Sequence, residues 1–169
     1  MLSGALGDLT GLLHACVHDG ASVGFILPFD QSTAARFWSD KVLPAVQCGN
    51  SVLFVARIDG HIVGTVQLGL GLPSNQPHRA DVLKLLVHPD QRRQGIARAL
   101  MQTLISHAIQ MGKTLLVLDT RSRDPSQRLY EGMGFLVAGE IPGFCRNPLR
   151  DEIEATTYLY KPLTPVGLV

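Results

Sequence analysis

Apolar residues follow two different rhythms along this chain. Leu6, Leu9, Leu12, Leu13, Cys16 and Val17 recur at helical spacing and predict a helix over Leu6–His18. The small residues of Gly20–Phe25 read as a loop, and Ser32 is placed to N-cap a second helix running to about Gln47. Phe37, Trp38 and Val42 form its apolar stripe, and Pro44 is expected to bend it or end it early. Ser51–Ile58 and His61–Leu70 are β-rich, and Asp59-Gly60 between them is a strong two-residue hairpin signal.

Beyond the loop Gly71–His78 the chain alternates strand and helix. Asp81–His88 reads as a strand, Asp90–Ala97 as a loop, and Ile96–Met111 as a helix with Leu100, Met101, Leu104, Ile105, Ala108 and Ile109 on one broad face. Gly112 sits where a left-handed C-cap is expected. Thr114–Asp119 is an apolar strand ending in a carboxylate, and Pro125 starts a short helix to about Glu131. Gly132–Gly134 turns the chain, and Phe135–Ile141 and Thr156–Tyr160 are strands joined by an irregular loop. The order β-β-β-α-β-α-β-β predicts a mixed α/β fold whose central βαβ unit is parallel.

Composition narrows the function classes. At 169 residues, 46% hydrophobic and 17% charged, the chain is expected to fold as a single domain over residues 1–169 with an ample core. A net charge of +1 argues against coating nucleic acid or anionic membrane. The longest apolar stretches, Val82–Val87 (broken by Lys84) and Leu115–Leu118, are far short of a membrane span. The first basic residue is Arg36, so no charged secretory leader is read. Cys16, Cys48 and Cys145 are scattered and odd in number, which points to a reducing cytoplasm and not to disulfides or zinc. The six histidines show no metal-ligand spacing, so no metal is expected.

Charge is unevenly distributed. Residues 79–128 carry nine Lys/Arg against four Asp/Glu, a balance of +5, and the remainder carries six against ten, a balance of −4. Such a segment is either a solvated face or an anion site. The second reading gains weight from Arg92-Arg-Gln-Gly-Ile-Ala97 between strand and helix, where free N–H groups and the positive end of the helix dipole converge. Gly95 allows close approach of an anion, and Ala97 keeps the helix near the sheet. Neither GxxxxGK[ST] nor a GxGxxG after a strand is present.

With Leu85-Leu-Val-His-Pro89 before it, Arg92-x-x-Gly-x-Ala97 resembles the acetyl-CoA pyrophosphate loop of the GNAT N-acyltransferases. Leu129-Tyr-Glu-Gly-Met-Gly-Phe135 resembles the next signature of that superfamily, and the likeness covers roughly residues 50–161. It implies a GNAT fold: a mixed, mostly antiparallel sheet with a central splayed parallel pair, flanked by helices. Gly20–Phe25, Arg79–Val87, Leu118-Asp-Thr120, Gly139–Cys145 and Ala155–Tyr158 are also similar to the tabtoxin-resistance acetyltransferases. GNAT chains normally begin with a strand, whereas here only Met1–Ala5 precede the first helix, so that strand is absent or the chain starts late.

The resemblance implies direct attack of an amine on acetyl-CoA in a ternary complex. Tyr130 matches the tyrosine that protonates or hydrogen-bonds the CoA sulfur; the plain alternative is an ordinary helix tyrosine. Asp81 and Asp119 match two carboxylates that bind and deprotonate the amine; the alternatives are a strand-end and a capping carboxylate. The N–H groups of Arg93, Gln94, Gly95, Ile96 and Ala97 are implied pyrophosphate contacts, with charge from Arg92 and Arg98. Leu86 and Val87 are implied to pair with the pantetheine near a β-bulge that also supplies the oxyanion donor, and Ser126 and Leu129 to touch the distal arm. His88 reads as a strand-end residue and Cys145 as a weak candidate nucleophile without a partner histidine. Phe25, Trp38 and Phe144 are core or pocket-wall residues. The expected acceptor is a small molecule with a primary amine, an amino-acid-like toxin or antibiotic among them, acetylated in the cytoplasm by a monomer or homodimer with no nucleic-acid or membrane partner. A protein or peptide acceptor and a non-catalytic CoA-binding module are the alternatives.

Overall fold

Asp59 and Gly60 both take positive φ, 51° and 84°, and close a hairpin between β1 (Ser51–Ile58) and β2 (His61–Gly69). In this computed structural model, which describes residues 2–164, that hairpin is one end of a six-stranded sheet. The other strands are β3 (Arg79–Val87), β4 (Leu115–Arg121), β5 (Leu136–Arg146) and β6 (Ile153–Pro162). Their order is β1-β2-β3-β4-β6-β5, with β3 and β4 parallel and every other neighbour antiparallel. This is the mixed α/β architecture expected from the sequence.

Helices cover both faces. α1 (Leu2–His18) turns Leu9, Leu12, Leu13, Cys16 and Val17 onto one face, where they pack with Phe29, Trp38, Ile62 and Leu86. α4 (Ile96–Gln110) turns Leu100, Met101, Leu104 and Ala108 onto the other, against Val66, Leu68, Leu116, Leu118 and Leu159. Each fully buried leucine of these stripes stabilises the fold by about 1.5–3 kcal/mol. Asp8 adds a polar tie, accepting the Ile62 N–H at 2.9 Å and joining α1 to β2.

Several local expectations are corrected. The first helix begins at Leu2, four residues earlier than its apolar stripe implied. The second is capped by Asp30, whose carboxylate accepts the Thr33 N–H at 2.7 Å, and not by Ser32, which donates to Asp30 instead. Pro44 does not end that helix. α2 (Gln31–Arg36) passes through a π-helical stretch, Phe37–Val42, into α3 (Leu43–Gln47). The wider turn, with the Leu43 N–H bonded to the Trp38 carbonyl, accommodates a proline that has no N–H to give. The irregular loop after Ile141 is largely strand, because β5 runs on to Arg146 and β6 starts at Ile153. Register shifts between Val137 and Gly139 and between Ile141 and Cys145 break the alternation that sequence reading relies on.

The β-bulge lies two residues ahead of its expected place. Gln67 faces Leu83 and Thr65 faces Leu86, so β3 holds one extra residue across Lys84 and Leu85. Lys84 makes this turn with a φ of 51°, which a lysine rarely adopts. Among the described residues no helix is long and apolar enough to cross a membrane.

Candidate active site

The parallel pairing of β3 and β4 is short. Asp81 faces Val117 in the last paired rung, yet β3 continues to Val87 and β4 to Arg121. The strands therefore diverge, and β3 keeps an edge without a strand partner beyond Asp81. The opening leads into a cavity of about 1000 Å³, bounded by the α1–α2 loop, the bulge of β3, the start of α4, α5 (Pro125–Gly132) and β6.

One end of the cavity is the start of α4. The first turn is held on the sheet by close contact at Gly64, where an added Cβ would stand 3.1 Å from both Ile96 and Leu100. Gly95 caps the helix at φ 79° without any side-chain hydrogen bond. The Ala99 N–H reaches the Gly95 carbonyl at 3.0 Å, so the N–H groups of Ile96, Ala97 and Arg98 precede the helical ladder. A Cβ built on Gly95 meets nothing within 4 Å, and the space beside these donors is open. Arg92 is anchored by Asp19 at 2.5 Å, which fixes the loop to the end of α1. His88 serves as a strand-end cap, accepting the Asp90 N–H at 3.3 Å, in line with its reading from sequence.

The other end holds the reactive side chains. α5 is positioned by its N-cap Asp124, which accepts the Ser126 N–H at 3.1 Å and is gripped by Arg121 at 2.7 Å. Burial works to raise the Asp124 carboxyl, but the Ser126 N–H and Arg121 outweigh it and hold it below the usual carboxylate value. Tyr130 is buried one turn further on, its ring centroid 5.8 Å from that of Phe135. Burial first, then the Asp124 and Asp119 carboxylates, pushes its phenol well above the ordinary tyrosine value. Tyr130 is therefore a protonated donor throughout the physiological range. Asp119 is exposed to the cavity from β4, with the Thr156 hydroxyl 3.4 Å away.

Of the residues singled out from sequence, Tyr130, Asp119, Leu86, Val87, Arg92, Arg93, Gly95, Ile96, Ala97, Arg98, Ser126 and Leu129 all border this one cavity. Gln94 does not; its amide donates to Gln91 at 3.1 Å. Asp81 does not either: it lies in the closed part of the ladder and is ion-paired with Arg79. Cys145 borders the cavity 3.7 Å from the Ser22 hydroxyl, and Phe144 beside it is half-exposed. Trp38 is wholly core, and Phe25 is partly buried against the same cluster.

Sequence reasoning missed Lys84, Thr156 and Cys16 as cavity residues. Lys84 was the only charge within an apolar run, and that interruption was the available signal. Cys16 is hidden in the apolar stripe of α1, its thiol pushed up to about 11, mainly by burial. Thr156 lies in the Ala155–Tyr158 stretch quoted for the resemblance, but nothing local distinguishes it there from Thr157.

The open, donor-lined helix start and the cavity running from it to a neutral tyrosine fit an anionic cofactor with an extended arm. Comparison with known proteins agrees. The Acetyltransferase (GNAT) family matches residues 26–135 of this chain. An N-acetyltransferase encoded in the hisH-hisA intergenic region of Azospirillum brasilense is 31% identical over 130 residues, covering 74% of this chain and 75% of its own. Human N-acetyltransferase 8 is 35% identical over 92 residues, covering 53% of this chain, which spans only 40% of that protein's length. The fold is shared with yncA from Salmonella typhimurium, solved with its cofactor acetyl-CoA, at a TM-score of 0.77, 20% identity and coverage of 96% and 90%. The chain thus belongs to the GNAT family of acetyltransferases, enzymes that use acetyl-CoA.

Proposed function

We propose that this protein acetylates the primary amine of a small molecule, with Asp119 and Tyr130 as the residues that handle protons. The observation that carries the reading is their convergence on one cavity that also receives the start of α4. The free N–H groups of Ile96, Ala97 and Arg98, with Gly95, Arg92 and Arg93, would hold the pyrophosphate of acetyl-CoA, and the free edge at Leu86 and Val87 its pantetheine amides. When bound, acetyl-CoA supplies an activated acyl thioester. Ser126 and Leu129 border the space for its distal arm.

The acceptor reaches the protein as an ammonium ion, with a pKa near 10, and must lose a proton to become a nucleophile. Asp119 binds the ammonium and takes that proton, directly or through water. Tyr130 keeps its own proton at Oη and stands as the donor for a departing thiolate. Asp81, held by Arg79 in the closed part of the ladder, supports that end of the opening, and we give it no proton-transfer step.

A cavity of about 1000 Å³ that must also admit the acyl donor favours a small acceptor over a folded protein. The likeness to the tabtoxin-resistance acetyltransferases supports an amino-acid-like toxin or antibiotic. The three free cysteines fit a reducing compartment such as the cytoplasm. The test is a panel of primary amines incubated with acetyl-CoA and read by thiol release. Release with one or a few small amines supports the reading. Release only with peptides moves the acceptor to that class. Tight acetyl-CoA binding without release from any amine would leave a CoA-binding module.

A further inference from the structure

We infer that Lys84 anchors a carboxylate, or a comparable anionic group, on the acceptor, so that the substrates are amines that also carry a negative charge. This rests on the assignment of Asp119 to the ammonium and adds the opposite pole of the same site.

Lys84 is an unusual residue to find here. It interrupts the apolar run Val82–Val87 and forms the bulge of β3 at φ 51°, a left-handed conformation that strains any side chain. That geometry sets its side chain into the cavity, under the α1–α2 loop. A Cβ on Gly24 would stand 3.9 Å from its ammonium nitrogen, and the Phe37 ring centroid lies 5.8 Å from it. Strain at such a position persists where the surrounding structure enforces it, and it gathers at functional sites.

The other cations around the cavity have evident employment. Arg121 is paired with Asp124 and Glu154, and Arg92 with Asp19. Arg93 and Arg98 flank the donor-lined start of α4. Among the described residues Lys84 forms no ion pair. Its ammonium is held below the ordinary lysine value by burial above all, with Lys41 adding to the effect and Asp119 opposing it. Lys84 and Asp119 border the same cavity without closing a salt bridge. Lys84 is half-buried, and a partly desolvated charge without an ion-pair partner is unfavourable, so a carboxylate delivered by the ligand would relieve it. The Phe37 face stabilises the cation but leaves its N–H donors free. A cation and an anion held apart across one cavity complement a zwitterion in a single orientation, with its amine on the side of Asp119 and Tyr130.

The experiment compares amino acids of varied chain length, each paired with its own carboxamide, as acceptors at saturating acetyl-CoA. The wild-type enzyme should prefer the free carboxylate by about 30-fold in kcat/KM, the worth of a charge-assisted hydrogen bond, with most of the difference in KM. Lys84→Met should reduce that preference to less than about threefold, and Lys84→Arg, which keeps the charge, should retain most of it. Should K84M fail to fold, as judged by its melting curve, the wild-type comparison and K84R decide. Equal use of acids and carboxamides by the wild type, or a preference that survives K84M, would overturn the anion anchor alone. No thiol release from any amine would overturn the acetyl-transfer reading and this inference with it.

Discussion

The hydroxyl of Thr156 lies 3.4 Å from a carboxylate oxygen of Asp119, on the neighbouring strand β6. The same hydroxyl sits 2.9 Å from the Thr120 carbonyl, which takes its proton. Asp119 is therefore held loosely, with acceptor capacity left for an ammonium. Asp119→Asn keeps the shape and removes the base. It should lower kcat/KM for the amine by about 100-fold or more, the usual worth of a positioned general base. Acetyl-CoA affinity, measured by calorimetric titration, should change by less than about twofold, because the donors at the start of α4 are untouched. A D119N enzyme with wild-type turnover would remove Asp119 from the mechanism.

Tyr130→Phe tests the proton donor. The hydroxyl is lost while the ring keeps its packing on Phe135, so the melting temperature should hardly move and kcat should fall about 10- to 1000-fold. The pH dependence carries a further sign. The phenol is raised above its ordinary value, near 10, so it stays neutral in the folded enzyme while the unfolded chain ionises. The stability linked to Tyr130 is complete below about pH 10 and is lost above it, as pH rises toward the folded-state value. Denaturant titrations at pH 8 and pH 11 should show a steeper alkaline loss for wild type than for Y130F.

Gly95→Ala separates the cofactor loop from the fold. The backbone at φ 79° strains any side chain, which costs about 1–2 kcal/mol. The new Cβ meets no protein atom within 4 Å and projects into the open space beside the helix donors. The variant should therefore remain folded with a slightly lower melting temperature, while its acetyl-CoA Kd rises more than about tenfold. A Kd unchanged in a folded G95A protein would mean that the anion lies elsewhere.

Much of this fold was written in local patterns. The Leu9–Val17 stripe, the Asp59-Gly60 turn and the Leu100–Ala108 face each rest on neighbours in sequence, and each folds as its spacing implies. The loop from Arg92 to Ala97 was legible for the same reason: strand, glycine and helix start are consecutive. What escaped depends on distant partners. Lys84 enters the cavity because a bulge against Thr65–Gln67 turns it, and Pro44 survives inside a helix because the preceding turn widens. Asp81 and Asp119 are both sheet carboxylates in sequence. Only the register, with Asp81 facing Val117 in the last rung, separates the one inside the closed ladder from the one in the opening.

The three cysteines should respond in a fixed order to a thiol reagent such as Ellman's at pH 8. Cys48 is exposed and should react first. Cys145, half-buried beside Ser22, should follow, and acetyl-CoA should slow it by occupying the cavity it borders. Cys16 is buried, its thiol donates to the Val87 carbonyl at 3.4 Å, and burial pushes it up to about 11 from 9.0. At pH 8 it is almost wholly the unreactive thiol and should be labelled only when the protein unfolds. Because its folded value is raised, the stability linked to Cys16 is complete below about pH 9 and disappears as pH rises toward 11, while the unfolded chain ionises. Cys16→Ala should remove that alkaline term but lose packing among Leu12, Leu13 and Val17, for a net cost near neutral pH of about 1 kcal/mol. Rapid labelling of Cys16 in the native protein would show that α1 does not stay closed over β3.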